Sequence, residues 1–197
     1  VDDIINVVTS GYMNNSWPNI SVSAWFKTSD INSEQSIVAK GDGSKWWALS
    51  YYESSVGWYY DDDITKRFAQ LEFSPNNQWH HLTGVRVKGS KNQLFLNGNS
   101  VNVVSDNGND FTISSPIEIG GRNIPGSRSF LGSIDDVRIY DRALSATEVQ
   151  ALYELGTGDS TTTTTGGGAT IVSGQVAAGS ITTAQLNESI LKYLRPG

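Results

Sequence analysis

Aromatic side chains crowd one short stretch of this chain: Trp46, Trp47, Tyr51, Tyr52, Trp58, Tyr59 and Tyr60. Rings of this kind can lie flat on the apolar faces of sugar rings, with planar polar groups alongside to take the hydroxyls. Strand alternation sorts them into two sets. Trp46, Ser50 and Tyr52 share one face, and Trp47, Leu49 and Tyr51 share the other. Trp58 goes with Tyr60, and Tyr59 with Gly57, but alternation does not say which of these pairs is turned inward. Arg67, Arg86, Arg122 and Arg128 are the candidates for two-pronged contact with a carboxylate or sulfate. If two or more converge near the aromatic rings, the implied ligand is an acidic polysaccharide. Asn123 and His81 could take hydroxyls. The ligand-binding set read from the residues is therefore Trp46, Tyr52, Trp58, Tyr60, Arg67, His81, Arg86, Arg122 and Asn123, with Trp25 and Trp79 assigned to core packing.

Covalent chemistry finds little to work with. The chain has no Cys and two His, so thiol nucleophiles, zinc ribbons and disulfide frameworks are excluded. No Gly-x-Ser-x-Gly elbow is present to set up a serine nucleophile. Glycoside cleavage needs two carboxylates at a set separation. Asp135 and Asp136 are adjacent and so point to opposite faces of a strand. Asp61, Asp62 and Asp63 read as a solvated acidic turn before a metal site, because the spacing and distal Glu of an EF-hand loop are missing.

The elements that carry these residues are short strands. Among 197 residues, Gly numbers 20 and Trp and Tyr 6 and 8, a composition that favours strands joined by tight turns. In Ile20–Lys27 the residues Ile20, Val22, Ala24 and Phe26 alternate with mostly polar neighbours, and Trp25 on the other face predicts that this side is also partly covered. Further strands are predicted over residues 35–40, 46–52, 58–60, 68–73, 79–88, 93–96, 100–104, 117–119 and 130–140. Asn97-Gly98 between two of them is a hairpin signal. Evenly spaced strands with no helix between them indicate an all-β sandwich or barrel. One short helix closes the unit, with Ser145 and Glu148 as a capping box and Leu144, Val149, Leu152 and Tyr153 as its apolar stripe. Its expected role is to plug one edge of the sandwich.

Residues 1–155 thus form one β domain. Residues 156–170, with five consecutive Thr and three Gly, form a linker. Residues 171–197 form a short tail in which Leu186, Ile190, Leu191 and Leu194 share one helical face ahead of Pro196. So short a helix is marginal alone, which makes self-association through the tail an expectation. The net charge of −6 gives no global attraction to nucleic acid or an anionic membrane. No apolar run reaches the length of about 18 residues that would span a bilayer. No leader is visible at Val1, so the numbering is expected to begin after a removed leader or inside a larger protein.

Three blocks carry a resemblance. They are Trp79-His80-His81-Leu82-Thr83-Gly84-Val85, then Leu94-Phe95-Leu96-Asn97-Gly98, then the run from Phe130 to Ser145 containing Gly132-Ser133-Ile134-Asp135-Asp136-Val137-Arg138-Ile139-Tyr140. In order and spacing, together with Ser21–Trp25 and Ile119–Asn123, they resemble the bacterial laminin-G-like, concanavalin-A-like family over about residues 4–155. The resemblance implies a jelly-roll sandwich of two antiparallel sheets, with Leu49 turned to the core and Trp46 and Tyr52 toward the open sheet or its rim. It also implies a structural Ca²⁺ held by Asp135 with Asp2 or Asp3. Catalytic relatives carry alternating acids, Glu-x-Asp-x-x-Glu, which this chain lacks, or a basic, Tyr- and His-containing cleft with a Gln-x-His strand, whereas His80 and His81 here occupy the family's structural Trp-His-His position. The implied function is a non-catalytic module that binds a polysaccharide by aromatic stacking and polar or Arg contacts, on a secreted enzyme or a bacterial surface protein. A protein-binding adhesion domain and a structural spacer with an oligomerising tail are the alternatives.

Overall fold

A computed structural model describes residues 4–7, 17–30, 34–41, 44–109, 112–122 and 129–157. The linker from residue 158 onward, the tail, Asp2, Asp3, Asn123 and Arg128 lie outside the described residues. The strands are β1 (Ile5–Val7), β2 (Asn19–Thr28), β3 (Gln35–Gly41), β4 (Lys45–Tyr52), β5 (Ser55–Asp62) and β6 (Lys66–Glu72). They continue with β7 (His80–Val87), β8 (Lys91–Leu96), β9 (Asn99–Ser105), β10 (Ile117–Ile119) and β11 (Gly132–Tyr140), and helix α1 (Ala146–Thr157) follows. Two antiparallel sheets form: a six-stranded one in the order β1-β10-β3-β4-β5-β6 and a five-stranded one in the order β11-β2-β7-β8-β9. The all-β sandwich is therefore observed, with β1 an addition that the sequence pattern did not suggest.

The core lies between the sheets and follows alternation. From the five-stranded sheet, Val22, Ala24, Phe26, Leu82 and Leu94 point inward, and from the six-stranded sheet Val38, Trp47, Leu49, Tyr51, Trp58 and Tyr60 meet them. One fit between the layers is exacting. A Cβ on Gly84 in β7 would run into the Trp58 indole, so the glycine leaves room for the largest ring in the core. The Trp58 Nε1–H donates to Asn92 Oδ1 at 3.2 Å, which satisfies the only polar atom of the buried side chain.

The outer face of the five-stranded sheet is also covered. Val85, Phe95 and Tyr140 pack there with Leu144, Val149 and Leu152, which places α1 across a sheet face instead of at an edge. The reason is that Val85 and Val87 of β7 and Phe95 of β8 carry apolar side chains on the outer side, leaving a surface that the helical stripe can bury. Glu148 accepts from the Ser145 backbone N–H at 2.8 Å, while the Glu148 N–H donates back to Ser145 Oγ at 3.3 Å. This is the capping box that the sequence predicts. Farther along the helix Tyr153 stacks on Trp25 at 5.7 Å, and a Cβ on Gly156 would strike the same indole.

Candidate functional site: the outer face of the six-stranded sheet

The outer face of the six-stranded sheet carries no helix among the described residues. The register lays out its rows. Glu118, Ala39, Ala48, Tyr59 and Phe68 are opposite one another across β10, β3, β4, β5 and β6. Gly41, Trp46, Asp61 and Lys66 form the row on one side. Ser36, Ser50, Gly57 and Gln70 form the row on the other, and Tyr52, Ser55 and Glu72 the row beyond.

On this face the rings make a continuous diagonal. Trp46 stacks with Phe68 at 6.5 Å and an interplanar angle of 29°. Phe68 meets Tyr59 edge-on at 5.2 Å, and Tyr59 meets Tyr52 edge-on at 6.3 Å. Such offset and edge contacts are the stable arrangements for aromatic quadrupoles. The Arg122 guanidinium lies 4.3 Å from the centre of the Trp46 ring and fixes that indole from the side of β10. Phe68 is an exposed large apolar residue at 38% of its surface, and Trp46 and Tyr52 are half-buried. Tyr59 is buried and leans over Gly57, where a Cβ would collide with its ring. Its phenol is pushed up by burial, then by Tyr52, Glu34 and Glu53. The Tyr52 phenol is raised too, first by its hydrogen bond to Glu53. Ser50 Oγ donates to Ser36 Oγ at 3.2 Å beside these rings.

The structure brings together Trp46, Tyr52 and Arg122 from the residues singled out by sequence, and it moves the others elsewhere. Trp58 and Tyr60 are fully buried and offer no ring face to a ligand. The turn of β5 that places Tyr59 outward necessarily places them inward. Arg86 is also buried, and its Nε and Nη2 donate to the two oxygens of Asp106 at 2.8 and 3.2 Å. It lies 4.5 Å from the centre of the Tyr60 ring, so it is a buried structural cation and not a ligand contact. Arg67 sits opposite Tyr60 in the inward register of β6 and donates to the Lys66 carbonyl at 3.2 Å. His81 is on the far side of the molecule under α1, 5.3 Å from Trp25, and burial lowers its pKa to about 4. Asn123 lies outside the described residues. Trp79, assigned to core packing, is 42% exposed with Lys27 Nζ 5.3 Å from its ring centre, because it precedes β7 at the end of the sandwich.

Tyr59 and Phe68 were missed by sequence reasoning. For Phe68 a signal exists: Lys66, Phe68, Gln70 and Glu72 alternate, and three polar members of that set mark the fourth as outward. Tyr59 had no such marker, since its strand is aromatic on both faces.

For the metal, Asp135 is exposed and its Oδ1 accepts from the Asp136 N–H at 2.7 Å, while Asp136 pairs with Arg138 at 2.9 Å. Its proposed companion Asp3 is outside the described residues. Asp62 has both oxygens engaged, Oδ1 by the N–H groups of Ile64 and Thr65 and Oδ2 by Asn107 and Asn109. Burial works against its ionisation, and these donors outweigh it, holding the carboxyl at about 2. Among the described residues no group of three or more His, Asp or Glu could hold a metal ion.

A family model described as the concanavalin A-like lectin/glucanases superfamily matches residues 6–150. The chain belongs to this superfamily. No curated protein matches it in sequence. Among solved structures, the botulinum neurotoxin serotype G binding domain is 20% identical with a TM-score of 0.63, covering 75% of this chain and 39% of that one. The chain therefore spans about two fifths of the toxin domain. Domain 4 of AbnA, a GH43 extracellular arabinanase from Geobacillus stearothermophilus, in complex with arabinotriose, is 23% identical with a TM-score of 0.60, covering 70% of this chain and 68% of that one. A heptameric SAP-like pentraxin from Limulus polyphemus is 15% identical with a TM-score of 0.58, over 77% and 81%. At these identities the likeness establishes the superfamily fold, and the neighbours carrying it are mainly binding domains.

Proposed function

We propose that this domain is a non-catalytic carbohydrate-binding module of an extracellular protein, and that it takes a polysaccharide on the outer face of the six-stranded sheet. The observation that carries the reading is the run Trp46–Phe68–Tyr59–Tyr52, with two half-buried rings and one exposed ring at the surface of an otherwise polar sheet. Sugar rings stack on such a surface, while the exposed Gln70 lies in the next row for hydroxyls. The structural neighbour solved with arabinotriose is in keeping with a glycan partner. Each stacked ring contributes a weak contact, so affinity is modest and gains from repeated copies.

The test is retention on immobilised polysaccharides. Phe68→Ala and Trp46→Ala are expected to abolish retention, with loss of stability of about 1 kcal/mol for the exposed Phe68 position. Unchanged retention in both variants would overturn this assignment of the face. The calcium expected at Asp135 and Asp3 is part of the same proposal. Retention with and without chelator, together with melting temperature, tests it.

A further inference from the structure

We infer that the ligand of this face is an uncharged glycan, and that the exposed carboxylates at its Tyr52 end exclude uronate-rich and sulfated polymers; this rests on the carbohydrate reading above. An acidic glycan needs cations converging on the stacking rings. Of the arginines described, Arg86 is locked to Asp106 within the core and Arg67 occupies the inward register of β6. Arg138 faces outward on the five-stranded sheet, opposite Ser23, and Arg142 pairs with Glu148 at the helix start. Arg122 does reach the rings, yet it is buried with its guanidinium over Trp46. Lys66 is in the outer register and pairs with Asp61 at 3.6 Å.

Carboxylates are distributed differently. In the outward rows of the six-stranded sheet Glu72 is exposed, whereas Glu118 is buried and Asp61 is buried and paired with Lys66. Glu34 and Glu53 are both exposed, and both act electrostatically on Tyr52 and Tyr59 at the far end of the ring diagonal. Among the described residues the site is thus bordered by negative charge on the Tyr52 side, while on the Trp46 side Lys66 is paired with Asp61 and Arg122 lies over the Trp46 ring. A polyanion laid along the rings meets like charge over that end, in a protein that is itself net negative at −6. Among the described residues a neutral chain encounters ring faces and the Gln70 amide, neither of which depends on salt.

The experiment is a binding comparison of the full chain on neutral arabinan, galactan and β-glucan against polygalacturonate, alginate and a sulfated galactan, at low and at about half-molar salt. The expected result is retention on at least one neutral polymer, unchanged by salt and lost in Phe68→Ala, with none on the anionic set. Retention on an anionic polymer that fades as salt rises overturns the inference and leaves the carbohydrate reading standing. Retention on none of the six polymers overturns the carbohydrate reading, and the inference with it.

Discussion

Trp58 and Tyr59 are adjacent in the chain and end on opposite sides of a sheet, one filling the core and the other supporting the outer aromatic face. Alternation told which residues travel together, so Trp46 with Tyr52 and Trp47 with Leu49 were legible. It could not orient β5, because large rings occupy both of its faces and no polar residue marks the wet side. The answer lies on another strand, in the space that Gly84 leaves for an indole. Likewise Arg86 reads as a surface cation until Asp106, Asn92 and the Asn109 carbonyl are seen around it. Trp58→Ala is expected to cost about 3–5 kcal/mol by denaturant melting, the cost of emptying a core site. Tyr59→Phe is expected to leave the melting temperature equal or higher, since the Tyr59 hydroxyl is buried with no hydrogen-bond partner. A clear loss of stability in Tyr59→Phe would show that the hydroxyl is satisfied in solution.

The secondary elements were more legible than their placement. The β8–β9 hairpin turns at Asn97 and Gly98 with φ of 50° and 78°, the positive pair that Asn-Gly accommodates best. β2 alternates as its residues predict, and Trp25 is covered as expected, by Tyr153 from α1. What the pattern of α1 did not reveal was its seat. An apolar stripe states that a helix must be buried on one side, and says nothing about which surface receives it. Val85, Phe95 and Tyr140 provide that surface, and each looks like an ordinary core residue in its own strand. The cap at Ser145 belongs to the helix alone. Ser145→Ala is therefore expected to lower stability by about 1 kcal/mol, measured by denaturant titration, without changing glycan retention.

At the scale of the whole molecule, the helix–sheet interface makes stability depend on acid. His81 is buried there, and its pKa falls from 6.5 to about 4 through burial, with Asp136 opposing and Arg138 reinforcing the shift. The unfolded chain therefore binds the proton first as pH drops. His81's contribution is intact above about pH 6.5, shrinks as pH falls to about 4, and totals about 3 kcal/mol. Asp62 and Glu148, both held near 2, lose their contributions only in more acidic solution, below the ordinary carboxylate value. A melting temperature that declines between pH 7 and 5, and that flattens in His81→Gln, is the expected result. A wild-type profile level across that range would show that His81 is not held neutral.

The two outer faces differ in what covers them, and this separates the helix from the rings. Helix α1 ends at Thr157 against Trp25, on the side of the five-stranded sheet. The aromatic diagonal is on the reverse side, so Thr157 and the rings lie on opposite faces of the sandwich. The ring-bearing surface is thus turned away from the helix, as a palm faces away from the back of a hand. Under the carbohydrate proposal, a polymer laid along the rings leaves the helix-covered face bare, so occupancy of one side carries no steric cost on the other.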